Sequence, residues 1–308
     1  MVTESIFGRG KQYTIESGDL AVTVADLGAT VTSLRWRGKE CVLGYDSPEG
    51  YLQGDAYLGA VVGRYANRIG GAAFSLNGTR WQLAANEGRN QLHGGPDSYD
   101  KREWQAGVGK DSVSFSLLSP DGDNGYPGTL RVQVAYRAEG DCLRLDFWGE
   151  SDADTVFAPT SHMYFCLGEG SVLDASLRIP AERVVEVGPG LIPTGRLLPA
   201  EGDFDFRTLR PVARDYDHCF VLTGEHACRL EQGHVALDVY TDFPGLQVYT
   251  GAFLPAPFRR NQGLALEPEF FPDSPNQPTF PDTTLRKGER FHKYMEFRFS
   301  ARQTAAEA

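Results

Sequence analysis

The sequence predicts an all-β fold, a large antiparallel β-sandwich, on three observations. Apolar residues alternate at period two in many short segments. Glycine accounts for 35 of 308 residues, well above its usual ~7% share, which favours frequent turns and short strands. No segment carries a sustained i, i+3, i+4, i+7 apolar stripe with caps, so helices should be few and short.

Taken in chain order, the alternating sets are Leu20/Val22/Val24, Val113/Phe115/Leu117, Leu130/Val132/Val134/Tyr136, Leu143/Leu145/Phe147 and Val235/Leu237/Val239. Each reads as a strand with one face buried, because successive strand side chains point to opposite faces. Phe291, Met295, Phe297 and Phe299, interrupted by Lys293, read as a closing strand followed by a polar tail from about Ala301. Gly70-Gly71, Asn77-Gly78, Asp121-Gly122, Gly188-Pro189-Gly190 and Phe280-Pro281-Asp282 punctuate the strands at short intervals. Without a long linker between them, one domain over residues 1–308 is expected. No fixed-period repeat or low-complexity tract is visible, which favours a sandwich over a propeller or solenoid. Asn77-Gly78-Thr79 fits a glycosylation sequon but reads better as a hairpin turn.

Composition narrows the function. The formal charge of -11 repels phosphate backbones and anionic lipid headgroups, so neither nucleic acid nor membrane is an expected partner. The first residues lack a basic region followed by an apolar one, and no apolar run is long enough to span a bilayer. A cytoplasmic protein is expected. Cys41, Cys142, Cys166, Cys219 and Cys228 are odd in number, scattered and never in a C-x-x-C pair, so they read as free thiols. P-loop, G-x-G-x-x-G, H-E-x-x-H and G-x-S-x-G motifs are all missing. The six histidines are too dispersed for a local metal box, leaving only convergence in space as a route to a metal. The expectation is that neither a cofactor nor a metal is needed.

Three stretches combine ionisable groups, turn-formers and aromatics: Asn90-Gln91-Leu92-His93-Gly94-Gly95, Pro159-Thr160-Ser161-His162-Met163-Tyr164-Phe165, and Leu264 to Asp273. On the residues alone each keeps two readings. His93 before two glycines is a loop group bonded to its own turn or a functional one, and His162 among apolar neighbours is a satisfied core group or a functional one. Glu267 ends an apolar run just before Pro268, a residue that stops strand pairing. A carboxylate there must be paired or functional.

Seven strings, in order, resemble the galactose mutarotase (aldose 1-epimerase) family. They are Gly63-Arg64-Tyr65-Ala66-Asn67-Arg68-Ile69, Asn90 to Gly95, Asp121 to Gly128, Leu191-Ile192-Pro193-Thr194-Gly195, Tyr216-Asp217-His218-Cys219-Phe220, Gly245 to Gly251, and Leu266-Glu267-Pro268-Glu269. The match runs from about Asp19 to about Arg298. The resemblance implies the family's sandwich, with a sugar cleft on one sheet. It also implies that Glu267 is the general base, His162 the general acid, and His93 a second histidine that contacts the sugar. By the same resemblance Asn67, Arg68, Asp217 and Gln247 bind hydroxyls, and Tyr164 lines the site. Two departures stand out: Thr-Ser-His-Met-Tyr-Phe where the family form resembles Thr-Asn-His-Ser-Tyr-Phe, and Glu269 where glutamine is common.

These residue types suit an anomeric exchange. Opening a cyclic hemiacetal removes the proton on the C1 hydroxyl while the ring oxygen receives one, so a base and an acid acting together serve best. Glu267 is expected ionised, His162 protonated beside a carboxylate, and their ends several ångströms apart with room for a ring. The expected partner is a neutral monosaccharide such as galactose or glucose, handled by a monomer or homodimer. A sugar-binding or sensory module without turnover is the first alternative. The second is an epimerase of a phosphorylated or otherwise anionic hexose, which needs a basic cluster. Lys101-Arg102 and Arg259-Arg260 are tandem candidates, and both read as solvated loops. Trp36, Trp81, Trp104 and Trp148 read as core.

Overall fold

The computed structural model describes residues 1–302. Over these the chain forms 28 strands, seven short 3-10 turns and one α-helix of six residues, Pro48–Gln53. The all-β expectation holds. Two large antiparallel sheets carry the architecture. The nine-stranded sheet runs in the order 105–108, 112–119, 130–139, 142–151, 290–301, 235–241, 226–232, 176–178, 210–211, and the six-stranded sheet in the order 164–165, 264–269, 245–249, 217–221, 183–187, 193–199. An N-terminal five-stranded meander over residues 2–40 packs beside them.

The alternating sets seen in the sequence are the inward faces of these strands. Val134, Tyr136, Leu145, Phe147, Leu237, Val239, Met295 and Phe297 from the larger sheet meet Phe165, Phe220, Leu246, Val248, Leu264 and Leu266 from the smaller one in a single cluster. That cluster spans Tyr13 to Phe299, and Phe165 meets Phe297 across the layers with ring centroids 5.3 Å apart. Burying this much apolar surface supplies the main driving force for closing the sandwich.

The C-terminal strand Arg290–Ala301 lies between Cys142–Ser151 and Val235–Thr241, so it joins two halves of the large sheet. Lys293 interrupts its apolar pattern at little cost because its ammonium reaches the Asp242 carbonyl at 2.9 Å. The tail expected beyond Ala301 lies, from residue 303, outside the described residues. Asn77-Gly78 is the turn of the hairpin Ala73–Leu76/Thr79–Gln82, with both residues at positive φ (52° and 77°) as a two-residue hairpin loop requires.

Candidate active site

The pleat of the six-stranded sheet sorts its residues. Along Leu264–Glu269, Leu264 and Leu266 enter the core, so Ala265, Glu267 and Glu269 face the other way. Register then sets their neighbours: Tyr164 lies opposite Ala265, Ala265 opposite Tyr249, and Tyr249 opposite Asp217. In the next row Glu267 lies opposite Gln247 and Gln247 opposite Cys219. Four of the expected residues, Tyr164, Asp217, Gln247 and Glu267, thus share one sheet face.

The expectation that Pro268 ends strand pairing is corrected. The strand continues to Glu269, with Pro268 opposite Leu246. The neighbouring strand 164–165 pairs only as far as Ala265, so Pro268 lies where one edge carries no ladder and a missing N–H is tolerated. Its carbonyl accepts from the Thr160 hydroxyl at 2.9 Å.

Loops supply the other half. Arg68–Ile69 pairs with Gln91–Leu92, and the next facing pair, Asn67 and His93, takes left-handed backbone (φ 61° and 51°). Gly94 follows His93 at φ 90°, and a Cβ there would lie 2.0 Å from the Gly63 carbonyl oxygen. Only glycine lets the two loops approach this closely.

All eight expected residues line one cleft of about 420 Å³, within the range of small-ligand sites. At its floor His162 Nε2 lies 3.4 Å from Glu267 Oε2. His93 packs edge-on to His162 with centroids 5.2 Å apart, and Tyr57 covers both rings. On the opposite wall, Gln247 Nε2 donates to Asp217 Oδ1 at 2.5 Å. The Arg68 guanidinium grips Glu87 through two bonds of 2.9 and 2.8 Å and stands 3.7 Å from Asp217. Tyr57, Glu87 and Phe253 were not singled out from the sequence, and Leu191 stood in a family string without a site role. Glu87 and Tyr57 sit in ordinary polar loop sequence, and no local signal marks them.

Burial governs the electrostatics. Glu267 is only 1% exposed and His162 4%. Desolvation, followed by the Glu269 and Asp217 carboxyls, pushes Glu267 well above the usual carboxylate range, against the pull of Arg68. Burial pushes His162 down to about 4. These directions run against the expected resting state, ionised Glu267 with protonated His162, because burial disfavours charge on both. The expected separation is corrected, since at 3.4 Å no sugar ring fits between the two side chains and the cleft lies beside them. Burial works against charge on Arg68, but Glu87 and Asp217 outweigh it and hold the guanidinium charged.

Nδ1 of His93 accepts the Asn67 backbone N–H at 3.1 Å. That fixes the proton on Nε2, which makes this nitrogen a donor. His93, His162 and Glu267 do bring ligand-type atoms within 4.8 Å of one another. A metal-ligating histidine donates its other ring N–H to an acceptor, whereas here that nitrogen accepts, so the donor set suits sugar hydroxyls and not a metal ion.

None of the tandem basic pairs, Lys101-Arg102, Arg259-Arg260 or Arg286-Lys287, reaches the cleft. Lys101 caps the end of the short helix through the Tyr51 and Gly54 carbonyls, and Arg102 is tied to Asp97 and Asp123, so this pair is structural and not a solvated loop. Arg260 pairs with Asp215. Trp36 and Trp104 are buried in the core as expected, while Trp148 is 37% exposed on the large sheet. All five cysteines are free.

Comparison with known proteins agrees with this geometry. The family model described as aldose 1-epimerase matches residues 11–298. The chain is 37% identical to the galactose mutarotase of Bos taurus over 97% of its length and 98% of that protein's. It is 38% identical to the aldose 1-epimerase of Escherichia coli K12, with 92% of both chains covered. A crystal structure of an aldose epimerase homologue from C. elegans superposes with a TM-score of 0.91 at 27% identity, covering 98% of this chain and all of that one. A galactose 1-epimerase from Lactobacillus acidophilus gives the same TM-score at 26% identity, with 98% and 99% covered. A full-length match in sequence and in fold, over a cleft that gathers every expected site residue, establishes that the chain belongs to the aldose 1-epimerase family.

Proposed function

We propose that this protein is a mutarotase, an isomerase that interconverts the α and β anomers of an aldose by opening and reclosing the ring. The observation that carries the proposal is the Glu267–His162 contact of 3.4 Å at the floor of a cleft lined by hydroxyl-binding side chains. Together the two groups hold one proton. Once the two side chains close from this approach into a hydrogen bond, transfer of that proton yields carboxylate and imidazolium, after which Glu267 takes the C1 hydroxyl proton and His162 protonates the ring oxygen. Rotation about C1–C2 presents the other aldehyde face, and reclosure reverses both transfers, so nothing is consumed. His93 Nε2–H donates to the reacting region, while Asn67, Arg68, Asp217 and Gln247 hold hydroxyls and Tyr164 forms the wall. Orientation of this kind lowers the barrier further by fixing the reacting geometry in advance.

The lining favours a neutral sugar. Asp55, Glu87 and Asp217 face a single guanidinium, that of Arg68, which is already held by Glu87. A phosphorylated hexose would meet repulsion there. Galactose or glucose fits this reading. Action as a single domain over residues 1–308 belongs to the same proposal, supported by the continuous core. So does a cytoplasmic monomer or homodimer with no nucleic-acid or membrane partner, supported by the five free thiols and by the lack, among the described residues, of a helix long and apolar enough to cross a membrane. Polarimetry of freshly dissolved α-anomers across a panel of aldoses tests the reading. Rotation should relax faster than in buffer for at least one neutral hexose, and no acceleration for any aldose would leave the binding-module alternative ahead.

A further inference from the structure

Glu269 is the one fully buried carboxyl at the site to which the proposed reaction gives no role. It sits two residues from Glu267 on the same strand face, opposite Gly245. On a strand that spacing puts their Cα atoms ~7 Å apart with both side chains on one face. Both are sealed from water, yet their partners differ. Glu269 Oε1 accepts a hydrogen bond from Asn67 Nδ2 at 3.1 Å, whereas Glu267 has only His162 Nε2 at 3.4 Å. Oε2 of each carboxyl is buried without a hydrogen-bond partner.

A donor aimed at a carboxylate favours its ionised form, and two carboxylates this close in a dry site disfavour ionising together. We propose that Glu269 is a positioning residue that carries the fixed negative charge of the site, held there by the Asn67 amide, and so keeps the mobile proton on Glu267 against His162. The inference rests on reading Glu267 and His162 as the acid–base pair. The surrounding groups agree with it. From the loop, Arg68 is, among the described residues, the cation that acts on Glu269, and it is committed to Glu87 and Asp217. Beyond the intervening strand 245–249, strand 217–221 presents Asp217 and the Cys219 thiol, which burial and then the two glutamates hold protonated. Tyr65 is likewise kept protonated by burial, and its hydroxyl donates to the Phe271 carbonyl. Burial raises both glutamates, but only in Glu269 does a hydrogen bond, that of Asn67, oppose the rise.

The same bond positions the machinery. Asn67 Oδ1 accepts the Arg68 backbone N–H at 2.9 Å while Nδ2 reaches Glu269. The amide is thereby pinned with its remaining N–H free for a sugar hydroxyl, and its main chain holds His93.

The test compares mutarotation by wild type and Glu269→Gln as a function of pH, with folding checked by circular dichroism. Glutamine keeps the shape and the acceptor for Asn67 but removes the charge. The alkaline limb should move to lower pH by roughly one to two units, because the catalytic pair then loses its proton more readily. Glu269→Met, which also removes the acceptor, should raise KM as well. An unmoved limb in Glu269→Gln, or a folded variant inactive at every pH, would overturn the proposal. Infrared spectroscopy locates the proton without any rate measurement. A protonated-carboxyl band at neutral pH should be present in wild type and lost in Glu267→Gln, and a band that survives in Glu267→Gln but vanishes in Glu269→Gln would overturn the proposal even if the protein were no mutarotase at all.

Discussion

Asn67 and His93 hold each other twice: the Asn67 backbone N–H donates to His93 Nδ1 at 3.1 Å, and the His93 backbone N–H donates to the Asn67 carbonyl at 3.0 Å. Both residues pay for this with left-handed backbone, which asparagine tolerates and histidine seldom adopts. The arrangement fixes the histidine tautomer. Burial, followed by His162 and Arg68, lowers the His93 pKa well below its ordinary value. Nitrogen NMR should therefore find neutral His93 with its proton on Nε2 throughout the range from about pH 5 to 8. A doubly protonated ring at about pH 6 would contradict the geometry.

Arg68 owes its position to Glu87, which takes two of its N–H groups. Glu87→Gln should loosen the guanidinium and raise KM for the sugar several-fold while changing kcat less, since the hydroxyl contact is made in ground and transition states alike. Arg68→Met removes the charged donor altogether, and should raise KM by about 10- to 100-fold, the value of a hydrogen bond to a charged group. Steady-state kinetics separate the two parameters. A kcat loss with unchanged KM would place Arg68 in the chemical step instead.

The active form requires exactly one proton on the Glu267–His162 pair, and this sets the sign of the pH dependence. A second proton arrives only as pH falls towards the lowered value of about 4 for His162, so activity should persist well below the ordinary histidine pKa of ~6.5. The pair loses its proton only above the raised value for Glu267, whose first cause is burial. A bell with an acid limb near 4 and an alkaline limb above the usual carboxylate range is expected. An acid limb near 6.5 would mean that His162 is solvated in the working enzyme.

A buried acid raised in this way also weakens the fold. Glu267 binds its proton more tightly folded than unfolded, so the stability it lends is complete below the ordinary carboxylate pKa and is lost as pH rises through the folded value. Glu267→Gln removes that dependence. Its melting temperature at neutral pH should exceed that of wild type, by about 2–4 °C for each kcal/mol of relieved penalty. A lower melting temperature would show that the carboxyl is stabilising where it stands.

Much of this was legible in the chain itself. Alternation at period two disclosed the strands because each large sheet buries one face, and Asn77-Gly78 disclosed its hairpin because few residue pairs accept positive φ twice. The site residues were visible only through the family strings. Their convergence depends on register: Glu267, Gln247 and Asp217 come together through strand pairings that no local pattern encodes. The separation of Glu267 from His162 and their protonation were misjudged for a related reason, since burial is a property of the assembled cleft. Tyr57 and Glu87 stayed hidden because their roles, covering two imidazoles and gripping Arg68, exist only across loops.

The central claim is that Glu267 and His162 move protons on the sugar. Polarimetry of Glu267→Gln on folded protein tests it most directly, because glutamine keeps the shape and most hydroxyl contacts come from other residues. The rate of anomer interconversion should fall by about 100-fold or more while sugar binding, followed by calorimetry, persists. A near-normal rate in Glu267→Gln would contradict the account.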